Sequence, residues 1–154
     1  MKKIVLALAA AFVVVAQSAS AGETAKGTNF SVVVPDSNAC KADQVCTVKI
    51  TVNSLNNFHV NKEYPTKLKV DEVAGIEFQG TDPAGKNVFS KAKNDFVLGP
   101  DVEKAGGPIV GTMTVTFKAK ANAKITGKLK FSVCSAQNCQ METADVTAAV
   151  TVSK

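Results

Sequence analysis

The sequence predicts an all-β fold, an antiparallel β-sandwich of about seven to nine strands. Three observations carry this. Apolar residues recur at every second position along several segments, turn residues punctuate the chain about every ten residues, and no stretch beyond the N-terminal leader shows a helical period.

Taken in order, the chain opens on Met1-Lys2-Lys3, an apolar run from Ile4 to Ala16, and the small-x-small site Ala19-Ser20-Ala21. A charged start, a short apolar core and such a site describe a secretory signal peptide over residues 1–21, cleaved after Ala21. A membrane anchor needs about 18 to 20 apolar residues, and this run is shorter and is followed by Gln17, Ser18 and Ser20. Export to the periplasm follows as the expectation, with a product that does not span the membrane. Residues 22–28 form a polar leader without periodicity, expected to be mobile, and 29–154 form a single domain.

Within that domain Phe30, Val32 and Val34 form one face of a strand that Pro35 ends. Cys46, Val48, Ile50 and Val52 alternate with polar neighbours, which places Cys46 on the apolar side of a half-buried strand. Leu68 and Val70 continue the pattern between lysines. The longest clean alternation runs Ile109, Gly111, Met113, Val115, Phe117, Ala119, followed by Ile125, Gly127, Leu129, Phe131, Val133 and then Ala144, Val146, Ala148, Val150, Val152. Val73 to Phe78 and Phe96 to Leu98 are shorter apolar runs. Gly80 to Asn87 and Gly99 to Pro108 gather much of the Gly and Pro and read as loops or turns.

Charge excludes some functions. The chain is formally +5, and Lys2 and Lys3 would leave with the leader. Every basic residue is Lys and none is Arg, so the bidentate contacts favoured by nucleic-acid readers are missing, and no nucleic-acid partner is expected. Scattered along the chain, the lysines read as solubilising charge. No G-x-S-x-G elbow and no phosphate-binding Gly-rich loop appears, and no cofactor is expected.

The chemistry lies in the four cysteines. In an oxidising compartment an even count reads as disulfides, and four cysteines permit three pairings. The simplest joins Cys40 to Cys46 and Cys134 to Cys139, each closing a short loop worth about 2 kcal/mol by chain entropy. A zinc site is disfavoured by the C-x5-C and C-x4-C spacings, and no metal site is assigned. Strand parity then separates the pairs. Cys46 belongs to a core-facing row, which suits a structural bridge to Cys40. Cys134 shares its row with Lys128, Lys130 and Ser132, away from Leu129, Phe131 and Val133, so it should face outward at its strand end. Ser135-Ala136-Gln137-Asn138 reads as a tight turn that returns the chain to Cys139. An outward, accessible disulfide is the kind that another thiolate can reach. The plainer alternative is a binding or structural module whose two bridges are both inert.

Two segments resemble a known family. Phe58-His59-Val60-Asn61 followed by Tyr64-Pro65-Thr66-Lys67-Leu68, and Lys128 to Cys134 closing with Cys139, are similar to the N-terminal periplasmic domain of the DsbD-type thiol:disulfide interchange protein. The resemblance implies an immunoglobulin-like sandwich in which Cys134 and Cys139 exchange electrons with periplasmic thioredoxin-fold oxidoreductases. Gln140-Met141-Glu142 stand where that family usually places prolines. With neither a transmembrane nor a thioredoxin-like segment before Lys154, the expected electron partner is a separate membrane reductant.

Around the pair, His59 has two readings: a cation near the sulfurs that would favour thiolate, or a structural ring bonded to a loop carbonyl, the commoner case. Tyr64 and Phe58 are candidates to cap the cysteine turn, and Glu142 is the nearest acid in sequence, a candidate proton acceptor. A third class of function is a Cu(I) carrier using Cys134, Cys139, Met141 and His59, which requires the thiols to stay reduced.

Overall fold

Backbone pairing gathers the alternating segments into two six-stranded sheets on either side of one hydrophobic cluster. The computed structural model describes residues 21–154. The signal peptide expected over residues 1–21 therefore lies, but for Ala21, outside the described residues.

In chain order the strands are β1 (Ala21–Lys26), β2 (Phe30–Pro35), β3 (Asn38–Lys41), β4 (Val45–Ser54) and β5 (His59–Val60). They continue as β6 (Lys67–Val70), β7 (Ile76–Phe78), β8 (Val88–Ser90), β9 (Phe96–Leu98) and β10 (Asp101–Val102). The last four are β11 (Gly107–Pro108), β12 (Val110–Ala119), β13 (Ala123–Cys134) and β14 (Cys139–Ser153). The first sheet runs β1-β2-β4-β12-β7, with β9 also on β12, and the second runs β3-β14-β13-β6-β8, with β5 also on β13. All pairings are antiparallel except that of β3 with the end of β14. This is the expected antiparallel β-sandwich.

Each long alternation predicted from sequence is a strand with its apolar row buried, except that Ile109 stands just before β12 and is exposed and Val152 near the end of β14 is half-buried. Met113, Val115 and Phe117 on β12, and Leu129, Phe131 and Val133 on β13, are completely buried. Fourteen strand segments among the described residues exceed the seven to nine expected, because short pieces add to the long ones. The three residues of β8 are all buried and so show no alternation to read. Residues 22–26 of the polar leader form most of β1, paired with β2. An edge strand can be held by backbone hydrogen bonds alone, so its lack of apolar periodicity did not announce it.

The two sheets are joined covalently as well as by packing. Cys40 on β3 is bonded to Cys46 on β4, and these strands belong to different sheets. Cys40 is a member of the hydrophobic cluster and Cys46 is packed against it, as its parity predicted. Across the sandwich Phe30 of β2 meets Phe131 of β13 edge to face, with ring centroids 5.0 Å apart. Removing a fully buried Phe leaves a cavity that the sheets cannot collapse into, at a cost of about 3–5 kcal/mol. Phe131→Ala is expected to lower the free energy of unfolding by that amount in a urea titration. An unchanged midpoint would mean that Phe131 is not the contact that seats β13 on the opposite sheet.

Candidate functional site

The hairpin of β13 and β14 ends in the second disulfide. Twelve register pairs run from Ala123 opposite Val150 to Cys134 opposite Cys139, and the last of these is the bonded cysteine pair. Beyond it Ser135 N–H donates to the Asn138 carbonyl at 2.8 Å, closing the tight turn expected there. The Ser135 hydroxyl also accepts from the backbone N–H groups of Gln137 and Asn138, each at 3.2 Å. A Ser at the head of a turn bonds the following amides in just this way, which is why the polar segment folds locally. The pairing predicted from loop length is thus the observed one for both bridges.

The outward direction of Cys134 and its exposure must be separated. Cys134 lies outside the hydrophobic cluster, on the face of β13 that carries Lys128 and Lys130, as parity predicted. Its exposure, however, is only 5%, which corrects the expectation of an open sulfur. The reason is β5, whose two residues lie beside the strand end, with Val60 opposite Val133 and His59 opposite Cys134. With β5 on one side and Cys139 on the other, an outward-facing residue becomes covered. Ser132 is buried on the same face, and the side-chain amide of Asn61 donates toward its hydroxyl at 3.4 Å. Cys139, at the edge of this arrangement, is exposed. The bridge therefore joins an exposed cysteine to a covered one.

Asn61 was part of the family-like segment but was not singled out as a site residue. Its Nδ2 donates toward Cys139 Sγ at 3.9 Å, while its Oδ1 accepts the Glu63 N–H at 2.8 Å. Its own backbone N–H donates to the Ser132 carbonyl at 2.9 Å, fixing the residue at the end of β5. No sequence signal short of knowing that β5 pairs with β13 would have placed this amide over the bridge.

His59 is bonded to a loop carbonyl. Its Nδ1 lies 2.7 Å from the Ala105 carbonyl oxygen, so Nδ1–H is the donor and the ring is held by a loop. Strand adjacency does bring its backbone beside Cys134, yet the side chain is spent on the turn at 103–106, where Gly106 sits at φ +73°. The His59 side chain packs against the next glycine: a Cβ at Gly107 would stand 2.8 Å from His59 Cδ2. Lys62 and Asp101, 2.5 Å apart, further tie this excursion to the segment after β5.

The remaining candidates fall at different places around the hairpin end. Glu142 alternates onto the face of β14 opposite to Cys139, its register partner being Phe131. Tyr64 is half-buried in the loop before β6, where its carbonyl accepts the Thr66 N–H at 2.8 Å. Phe58 is packed against the core and also lines an open groove of about 750 Å³ between the 135–138 turn, the 56–59 segment and the 103–106 turn. Met141 does share the face of Cys139 and is 78% exposed. With both sulfurs bonded to each other, neither is a thiolate ligand in this state, and the described residues hold no cluster of three or more His, Cys, Asp or Glu placed for a metal.

Fold and site define a β-sandwich domain with two disulfides, one joining its sheets and one at a hairpin tip. Among the described residues no helix is long and apolar enough to cross a membrane. No protein-family model and no curated protein matches the chain. Among solved structures it is similar to the GAE domain of GGA2p from Saccharomyces cerevisiae, at 13% identity, covering 83% of this chain and 96% of that one, with a TM-score of 0.41. It is also similar to murine CRIg, at 10% identity, 81% and 98% coverage and a TM-score of 0.38. A third similar structure is AggA, the major subunit of aggregative adherence fimbriae type I from Escherichia coli, at 9% identity, 80% and 94% coverage and a TM-score of 0.36. At these values the likenesses carry nothing toward function, and the resemblance to the DsbD-type domain rests on the two sequence segments alone.

The packing of His59 on glycine gives a direct test. Gly107→Ala is expected to push the imidazole off the Ala105 carbonyl and to cost about 1–3 kcal/mol through overpacking. The readout is the His59 ring resonances together with the urea midpoint, and a spectrum identical to that of the parent protein would contradict the observed contact.

Proposed function

We propose that the protein is an exported thiol-disulfide exchange domain that passes electrons through Cys134 and Cys139 in the periplasm. One observation carries the reading: the bridge sits outside the hydrophobic cluster, at the end of a hairpin already held by its own ladder, and joins an exposed cysteine to a covered one. A bridge that closes a loop already closed by backbone pairing contributes little to the fold, so it can open without unfolding the domain. Cys40–Cys46 is the contrasting case, since it spans the two sheets beside the core.

The accessible sulfur sets the order of events. An incoming thiolate of a thioredoxin-fold dithiol attacks Cys139 Sγ in line with the bridge, the bond to Cys134 breaks, and Cys134 leaves as a thiolate. The partner's second thiolate then attacks the mixed disulfide at the partner's own sulfur and releases Cys139. Two electrons arrive here and the partner ends oxidised, with protons taken up from water by the two thiolates. The same steps run backward when reduced Cys139 attacks a partner disulfide and Cys134 resolves it. In either direction the Asn61 amide faces the sulfur on which negative charge gathers when Cys139 is released.

The test is selective reduction. In graded thiol buffers, followed by alkylation and mass measurement, Cys134–Cys139 is expected to open at a potential above about −300 mV while Cys40–Cys46 stays closed. Cys134→Ala is expected to accumulate a mixed disulfide through Cys139, and Cys139→Ala to accumulate far less through the covered Cys134. Two bridges that resist reduction to the same potential would instead mark the protein as a module with inert staples.

A further inference from the structure

The face of the second sheet that carries the disulfide also carries four lysines in a square. Lys128 of β13 is the register partner of Lys69 of β6, and Lys130 is the partner of Lys67. All four are exposed. Directly opposed residues on one face hold their Cβ atoms about 4.5–5.5 Å apart, where like charges destabilise a sheet. Two such pairs side by side are the opposite of what cross-strand pairing alone would select.

Acidic neighbours offset half of this. Lys128 bonds Asp145 at 2.6 Å, and Lys67 lies 3.4 Å from Asp82, whose carboxyl is held below its ordinary pKa first by the Ala84 N–H and further by Lys67. Asp71, at the end of β6, accepts from the Thr126 hydroxyl at 2.6 Å. Among the described residues no acid is paired with Lys69 or Lys130. The row continues without turning over: Lys128, Lys130, Ser132 and Cys134 share one side of β13, and Met141, opposite Ser132, adds an exposed apolar side chain between the lysines and the bridge.

We propose that this face is a docking surface for an acidic protein, which the lysine square orients so that its thiol meets Cys139. Distance decides what the lysines act on. Lys130 is four residues from Cys134 on β13, about 14 Å at roughly 3.4 Å per residue. A Debye length of about 10 Å at 0.1 M salt screens them from the sulfur itself. They do fall inside the footprint of a protein partner, which covers roughly 800 Å² on each side. The absence of Arg argues against nucleic acid as the occupant. That the partner bears a thiol rests on the exchange reading above; that it is acidic does not.

The experiment uses the oxidised protein and a matched pair of peptides. Each has one Cys and, about four to eight residues away, either a run of aspartates or the same run as asparagines, a spacing that reaches the square in extended form. The aspartate peptide is expected to form the mixed disulfide about tenfold faster at low salt, and the advantage should vanish near 0.5 M salt or when Lys67, Lys69, Lys128 and Lys130 are all changed to Gln. Changing all four to Arg should preserve it. Equal rates for the two peptides, or a preference that survives the Gln variant, would overturn the proposal. Serine-for-cysteine versions test the surface independently by binding alone: aspartate-dependent binding that the Gln variant loses supports it even if no peptide opens the bridge, an outcome that would remove only the exchange reading. Tighter association with phosphatidylglycerol vesicles than with the aspartate peptide would assign the face to a membrane and overturn the proposal.

Discussion

Backbone pairing along the hairpin of β13 and β14 is the constraint on which both core and site depend. Its ladder fixes a register that sends Leu129, Phe131 and Val133 inward and leaves Lys128, Lys130, Ser132 and Cys134 on the other side. A shift by one residue would exchange the two rows and place lysines against Phe30. The burial of Phe131 and the meeting of Cys134 with Cys139 are thus consequences of one register. The bridge does not set that register, because the ladder behind it already does.

The two disulfides differ in what they hold. Cys40–Cys46 is a covalent link between the two packed sheets, and its sulfurs lie in or against the hydrophobic cluster. Opening it would free β3, a strand of four residues paired only with the end of β14. Cys134–Cys139 restrains a turn that also has the Ser135–Asn138 backbone bond and the Ser135 hydroxyl contacts. Chain entropy assigns short loops similar values, so loop length does not tell the bridges apart; the surrounding structure does.

Much of this was legible in the sequence where one strand sufficed to read it. The inward rows of β4, β12, β13 and β14, the parity of Cys46 and Cys134, and the polar turn after Cys134 all follow from alternation and turn chemistry. What was not legible depended on neighbours. Cys134 faces away from the core but is covered, because β5 is only two residues long and has no period of its own to announce where it lies. The amide of Asn61 reaches Cys139 for the same reason, and the ring of His59 turns to a carbonyl forty-six residues away. The lysines looked scattered as a string of letters. Only the register of β6 against β13 sets Lys67 opposite Lys130 and Lys69 opposite Lys128.

A sheet with one face committed to the core has its other face free for recognition, and the proposed exchange would use that division. The Cys134–Cys139 bridge lies outside the inward-facing rows, so the residues that hold the sandwich together are not those that hold the bridge. The cost falls instead on the outer face, where opposed lysines repel and a two-residue strand pairs beside Cys134. Those features work against local stability, and they lie on the same rows as the bridge. If sheet stability alone had shaped this face, β-branched residues or opposite charges would serve better at positions 67, 69, 128 and 130. Their replacement by like charges, in line with an accessible sulfur, is the physical reason for reading the whole outer row of β13 as one working surface.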